Sequence, residues 1–367
     1  MSISDRDPNP GGRAAAPTLL ARAAAADLRA DRRLTTAIDD IFLGDDGRLD
    51  DRARAALATT LESVLGAIEA AIRMHAARLL TALAQPRLAE LIADGVSALD
   101  RLRAAGLLRD PELMHELIGR VRQGLIADAL PIEPPGRADQ PSLLARLSRH
   151  ADQRVARAAV ALLAAEGHRK APILVGAAPR GDLPAPIHRR LAWWIAAALR
   201  ARPASGDIDA LDRALAEAAR HSIAAYDEND RLEAVATRLA AALDAGAEEL
   251  AALLGDALAD QRLSLFIALL GHALGLAYAD VRDLVLEPDG ERLWLVLRAL
   301  ELDRAAIAAI GVALCEADPR RDIERFAETL DTIAAIEPER ARAAVAPLTL
   351  PPEYRAAMVA VARGTWA

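Results

Sequence analysis

The sequence predicts an all-α protein, and three of its features do so. Alanine fills 88 of the 367 positions, with abundant leucine beside it and arginine and glutamate at the polar positions. These residue types lose little rotamer freedom in a helix. Clusters of β-branched residues are nearly absent. The one strand-like run, Ile173-Leu174-Val175, stands alone between Pro and Gly residues, and a single isolated strand builds no sheet. Apolar residues recur three and four apart along most of the chain, which is the helical period.

Element by element, residues 1–16, with Pro8, Pro10, Gly11 and Gly12, read as a disordered tail. Short helices are expected over about 17–30 and 31–43, followed by a turn at Gly44-Asp45-Asp46-Gly47. The longest periodic segment runs from Asp50 to Leu83 and carries Leu57, Leu61, Val64, Leu65, Ile68, Ile72, Leu79 and Leu83 on one stripe. At 1.5 Å per residue such a helix is a rod of roughly 50 Å. A rod of that length outreaches the helices after it. Leu61, Leu65, Ile68 and Ile72 are therefore a candidate seam against a second copy of the chain. Packing against the chain's own helices is the alternative.

Shorter helices follow. They are expected near 87–105 with a break at Asp94-Gly95, then 111–130, 141–149 and 152–168. Pro86, Pro111 and Pro141 stand at their starts, where a missing N–H does no harm. The 141–168 pair resembles a HEAT-type repeat, with an apolar first helix, Asp in the turn and Val-x-Arg opening the second. The stretch 169–183 reads as a linker. Eleven further helices are expected between 184 and 363. Paired helices at this spacing predict a HEAT-like, solenoid-like helical array with a long N-terminal helix, and a compact multi-helix bundle is the alternative. The domain reading is a tail (1–16), a helical dimerisation element (17–83), basic helical pairs (84–168), a linker (169–183) and an acidic helical array (184–367).

Charge divides the chain. Residues 1–83 carry a net charge of -1, residues 84–205 carry +6 and residues 206–367 carry -13. The basic middle suits an anion or acidic partner, whereas the acidic last third repels nucleic acid and phospholipid head groups. No charge-free run of 18 apolar residues is present, so no membrane span is expected. The start MSISDRDPNPGG lacks the layout of a signal peptide, and a cytoplasmic location is expected.

Motifs that carry chemistry are scarce. No phosphate-binding loop, dinucleotide fingerprint, nucleophile elbow or paired-histidine zinc motif occurs. His115-Glu116 begins the last of these, but Gly119 stands where its second histidine would be. Asp45-Asp46-Gly47 fails the calcium-loop spacing. Cys315, the single cysteine, lies in an apolar helix and reads as an inert packing residue. Asp227-Glu228-Asn229-Asp230 reads as a helix-capping cluster. Gly271 and Gly275 read as a close helix-packing pair. No catalytic residue, metal ligand or cofactor is therefore predicted.

Two groups of residues stand out. In HRRLAWWIAAALR, Arg189 precedes Trp193 by four residues and Arg190 precedes Trp194 by four. Adjacent helix residues point about 100° apart, so both indoles cannot face one core stripe. Arg189, Arg190, Trp193 and Trp194 are a candidate interaction groove, built from the residue types that carry interface energy. His75 lies on the apolar stripe of the long helix and is a weak phosphoacceptor candidate, with a packed core histidine as the plainer reading.

Two stretches resemble a known family. Residues 32–73 and the pair 261–285 and 293–314 are similar to the N-terminal and C-terminal parts of the bacterial proteins grouped as domain of unknown function 2336. The resemblance implies a bacterial, helical protein and supplies no catalytic residue. The functional expectation is a non-enzymatic protein–protein interaction or regulatory scaffold, with unidentified protein partners and a homodimer. A nucleic-acid-binding array using the basic middle is one alternative, disfavoured by the pI of about 5.5. A partner resembling a histidine phosphotransfer module is the other.

Overall fold

The computed structural model describes residues 49–131, 141–170, 182–200 and 207–351, with positions 353–355, 357, 358 and 361 beyond them. The expected tail, the two helices before Gly44, the Asp45–Gly47 turn, the Ile173–Val175 run and most of the 169–183 linker lie outside the described residues. Within them the chain is all α, with no strand.

Sixteen α-helices are described: α1 (Asp51–Ala82), α2 (Pro86–Ala93), α3 (Ala98–Ala104), α4 (Pro111–Ala129), α5 (Leu143–Leu147), α6 (Gln153–Lys170), α7 (Ala185–Leu199), α8 (Ile208–Ala224), α9 (Leu232–Leu243), α10 (Ala247–Ala259), α11 (Leu263–Leu274), α12 (Tyr278–Val285), α13 (Glu291–Ala299), α14 (Arg304–Ala317), α15 (Ile323–Ala334) and α16 (Pro338–Val345). Their starts follow capping chemistry. Asp110, Asp207, Asp303 and Asp322 each accept a backbone N–H from the first turn that follows, satisfying a donor the helix leaves open. Gly275 closes α11 with φ +66°, a left-handed cap that favours glycine. It is thus a cap, while Gly271 alone provides the close approach: a Cβ there would lie 3.1 Å from the Leu276 carbonyl oxygen.

The helices form two apolar cores. The first gathers α1, α2, α3, the start of α4, α7 and α8 around Leu65, Ile68, Ile72, Leu113, Leu191 and Leu211. The second gathers α5, α6, α9–α15 and the end of α4 around Phe266, Leu269, Val285, Leu297 and Leu314. In the second half, packing joins α9 with α11 and α13 with α16, and also helices far apart in sequence, such as α6 with α9 and α4 with α14. The first half does the same. There α1 packs along α7 and α8, across more than a hundred intervening residues. A strictly nearest-neighbour stack has no such contacts.

This packing corrects the seam reading. Leu65, Ile68 and Ile72 are buried within their own chain, and Leu61 packs partly buried against the same core. The stripe is covered by α8, α7, α2 and α4, so it offers no apolar face to a second copy. By length and composition α1 could cross a membrane, but its stripe faces its own chain here. Arg73 and Glu69 on α1 also clamp the turn after α2. Arg73 donates to the carbonyls of Gly95 (3.0 Å) and Val96 (2.7 Å), while Glu69 accepts from Ser97 and the Ala98 N–H, both at 3.1 Å.

Ile68→Glu should therefore destabilise the fold by about 3 kcal/mol or more, because it places an unpaired carboxylate in the first core. Urea denaturation followed by circular dichroism checks this; a change of oligomer mass with unchanged stability would restore the seam.

Candidate functional site

One face of α4 is polar and buried. Glu116, Gly119, Arg120 and Gln123 recur at helical spacing on that face, where α4 passes between the two cores. Arg282 of α12 lies across it, its side chain only 2% exposed. Glu116 accepts from Arg282 Nη1 (2.8 Å) and from Arg231 Nη2 (3.2 Å). Gly119 makes room for this: a Cβ there would come within 2.9 Å of Arg282 Nε. This explains why glycine stands where a paired-histidine motif would place its second ligand. Beside it His115 pairs with Asp283 at 3.1 Å.

The network extends along α4. Arg120 donates to the backbone carbonyl of Asp182 (2.9 Å) and pairs with its carboxylate (3.0 Å). Arg169 of α6 donates through Nε to the same carboxylate and through Nη2 to Glu233 of α9, both at 2.7 Å. Gln123 donates to Tyr278 Oη (2.8 Å) and Ser264 Oγ (3.2 Å). Burial alone would raise the Asp182 pKa, but Arg169 and Arg120 outweigh it and hold the carboxyl below its usual range. Burial pushes the Tyr278 phenol upward. Glu116, Asp182 and Glu233 thus sit among Arg120, Arg169, Arg231 and Arg282. These groups are turned towards one another, so the cluster is a fastening between helices.

The second candidate is a cavity of about 400 Å³ between α13 and α15. Trp294 and Phe326 form its apolar wall, with ring centroids 4.7 Å apart, and Cys315 joins them. Arg321 also lines it, with its guanidinium 5.6 Å from the centre of the Trp294 ring. Gly290 is required here twice. It holds φ +66°, and a Cβ would come 2.5 Å from Arg321 Nη1. Gly311 likewise lets the Phe326 ring sit against α14, where a Cβ would come 2.0 Å from a ring carbon. Cys315 is buried, and burial raises its thiol pKa.

The residues singled out from sequence are dispersed. Arg190 and Trp194 turn inward: Arg190 pairs with Asp110 (3.1 Å) and Glu112 (2.7 Å) and stands 5.7 Å from the centre of the Trp194 ring. Arg189 and Trp193 turn outward, with Trp193 40% exposed. The four therefore do not line one groove, because the 100° step between neighbours divides them between two faces. His75 is half-buried and stacks face to face on His221 of α8, centroids 4.0 Å apart and planes within 9°. Asp227 caps the short 3-10 turn 228–230, accepting from the Asn229 N–H at 2.9 Å. Arginines of the basic middle meet the acidic last third inside the chain, as in Arg146–Asp256 and Arg169–Glu233.

Neither the α4 network nor the cavity was anticipated from sequence. The network's signal was the polar series Glu116, Arg120, Gln123 on a helix whose other face is apolar. The cavity's signal was the charged turn Asp318-Pro319-Arg320-Arg321-Asp322 after an apolar helix.

Fold and site together define an all-α helical array with a buried ionic fastening and a partly apolar cavity. A family model described as an uncharacterised protein conserved in bacteria (DUF2336) matches residues 136–346, and the chain belongs to that family. The match takes in the resembling stretches 261–285 and 293–314 and leaves out 32–73. No curated protein and no solved structure matches the chain.

Two outcomes follow for the site. Gly119→Val should displace Arg282 from Glu116 and lower stability by about 3 kcal/mol, read as a shifted urea midpoint. Stability should also fall with pH. Burial lowers the pKa of both His75 and His188 from 6.5, and His221 and Arg78 lower that of His75 further. The unfolded chain thus takes up protons first as pH drops below 6.5, while the folded chain is still neutral at these sites. The loss is expected from pH 6.5 down to the lowered native values, and His75→Phe should flatten its share. An unchanged pH profile in that variant contradicts this.

Proposed function

We propose that the protein is a non-enzymatic scaffold that binds a protein partner through the outer face of α7. The observation that carries this is Trp193, 40% exposed on a helix whose opposite face is fixed in the first core. An indole held on a rigid helix loses little freedom on binding, and tryptophan is prominent among residues that dominate interface energy. Arg189, one turn before it, is also exposed. The inward pair Arg190–Trp194 anchors the helix through Asp110 and Glu112 and so presets the outward pair.

The intramolecular pairing of Arg120, Arg146 and Arg169 supports this reading over a nucleic-acid interface, since these cations already face carboxylates. The stacking of His75 on His221 supports a packing role for His75 over a phosphoacceptor role.

Trp193→Ala combined with Arg189→Glu should leave the unfolding free energy, read from urea denaturation, within about 0.5 kcal/mol of wild type, as surface changes do. In side-by-side affinity capture from native lysate, with nuclease treatment, the double variant should lose a stoichiometric partner that the wild type retains. Identical partners on both baits would overturn the assignment of this face.

A further inference from the structure

The cavity between α13 and α15 has donors to spare and few carboxylates without a partner. Its carboxylates are engaged within the chain. Asp289 and Glu291 at the rim each pair with Arg325, at 3.2 and 3.1 Å. Asp322 accepts the Glu324 and Arg325 N–H groups at 2.9 and 3.0 Å, capping α15. Asp318, behind the wall, accepts from Arg320 Nε (2.9 Å) and Nη2 (2.7 Å) and stands 3.7 Å from Arg321 Nε.

The arginines are less fully served. Arg321 has a side chain 2% exposed and makes one good bond, from Nη2 to the Val285 carbonyl at 2.6 Å. Its Nε and Nη1, and Nη1 of Arg320, have no hydrogen-bond acceptor. Buried donors are normally satisfied, and the carboxylate beside Arg321, Asp318, is already held by two hydrogen bonds from Arg320. Burial lowers the Arg321 pKa. The apolar wall of Trp294, Phe326, Leu295 and Ile333 adds a surface suited to a flat ring. A volume of about 400 Å³ is in the range of small-molecule sites.

We propose that this cavity binds a small aromatic carboxylate, its ring against Trp294 and Phe326 and its carboxylate towards Arg320 and Arg321. The site goes beyond the scaffold reading and does not depend on it, since it lies on helices other than α7. Binding requires the two guanidinium groups to turn their unpartnered N–H groups towards the ligand. No covalent step is involved.

The test uses 4-fluorobenzoate as the probe, followed by fluorine NMR on the full chain. Saturable binding is expected. The neutral 4-fluorobenzamide should bind about tenfold more weakly or worse, because it forgoes a charge-assisted contact. Arg321→Met should abolish binding. Since a buried arginine can be needed for folding, Thr332→Trp at the exposed rim supplies a second variant that fills the cavity and leaves the core alone. It too should abolish binding while the circular dichroism spectrum is unchanged. Three results would overturn the proposal: no saturable binding at millimolar probe, equal binding of the amide, or unaltered binding to folded Thr332→Trp. The Trp193 and Arg189 variants should bind the probe like wild type, so failure of the partner surface and failure of this site are distinguishable.

Discussion

Arg282 lying across Gly119 of α4 is the constraint on which the rest of the arrangement depends. A guanidinium taken out of water needs carboxylates close by, and Glu116 and Asp283 supply them, at 2.8 and 3.7 Å. Glu116 in turn holds Arg231, which leads into α9. Each carboxylate in the cluster thus fixes a second helix. Such networks are weak sources of net stability, because desolvation offsets much of the attraction. Their value is geometric. They admit one register of α4 against α9 and α12, since any other leaves charges buried without partners.

That register has consequences at both ends of α4. Its start, Leu113 and Leu117, belongs to the first core, and its end, Ile126 and Leu130, belongs to the second. One helix is shared by two apolar clusters, with the ionic fastening midway. On the first side α1 acts as a central post, and its Arg73–Glu69 pair pins the turn that leads to α3. On the second side a run of short helices encloses Phe266 and Leu269. The same half places Trp294 and Arg321 at the cavity.

Helix positions were legible in the sequence because they rest on local signals. The long helix expected from Asp50 to Leu83 is Asp51–Ala82, and the helix expected at 247–259 has those bounds. Proline and capping aspartates mark starts, and the apolar period marks length. What α1 faces was not legible. An apolar stripe has the same spacing whether a second copy or α8 covers it, and the contact with α8 reaches across more than a hundred intervening residues. The fate of Arg189, Arg190, Trp193 and Trp194 was half legible: the angle between neighbours says two faces, but not which one is solvent. The α4 network depends on Arg282 and Glu233 arriving from far along the chain, which no local period encodes. Gly119 is the telling case. In sequence it reads as a missing ligand; in the fold it is the space that an arginine occupies.

The organisation gives the functional proposals a common physical footing. A surface that binds a partner and a cavity that binds a small anion both work best on a frame whose helices do not shift independently. The fastening across α4 is what would make the two halves one frame. Native-state hydrogen exchange, measured against low urea and resolved by segment, tests this most directly. Amides of α1 and α8 and amides of α11 and α14 are expected to share one opening free energy and one urea dependence, as parts of a single cooperative unit. Two separate opening free energies for these helix pairs in the wild-type chain would contradict it.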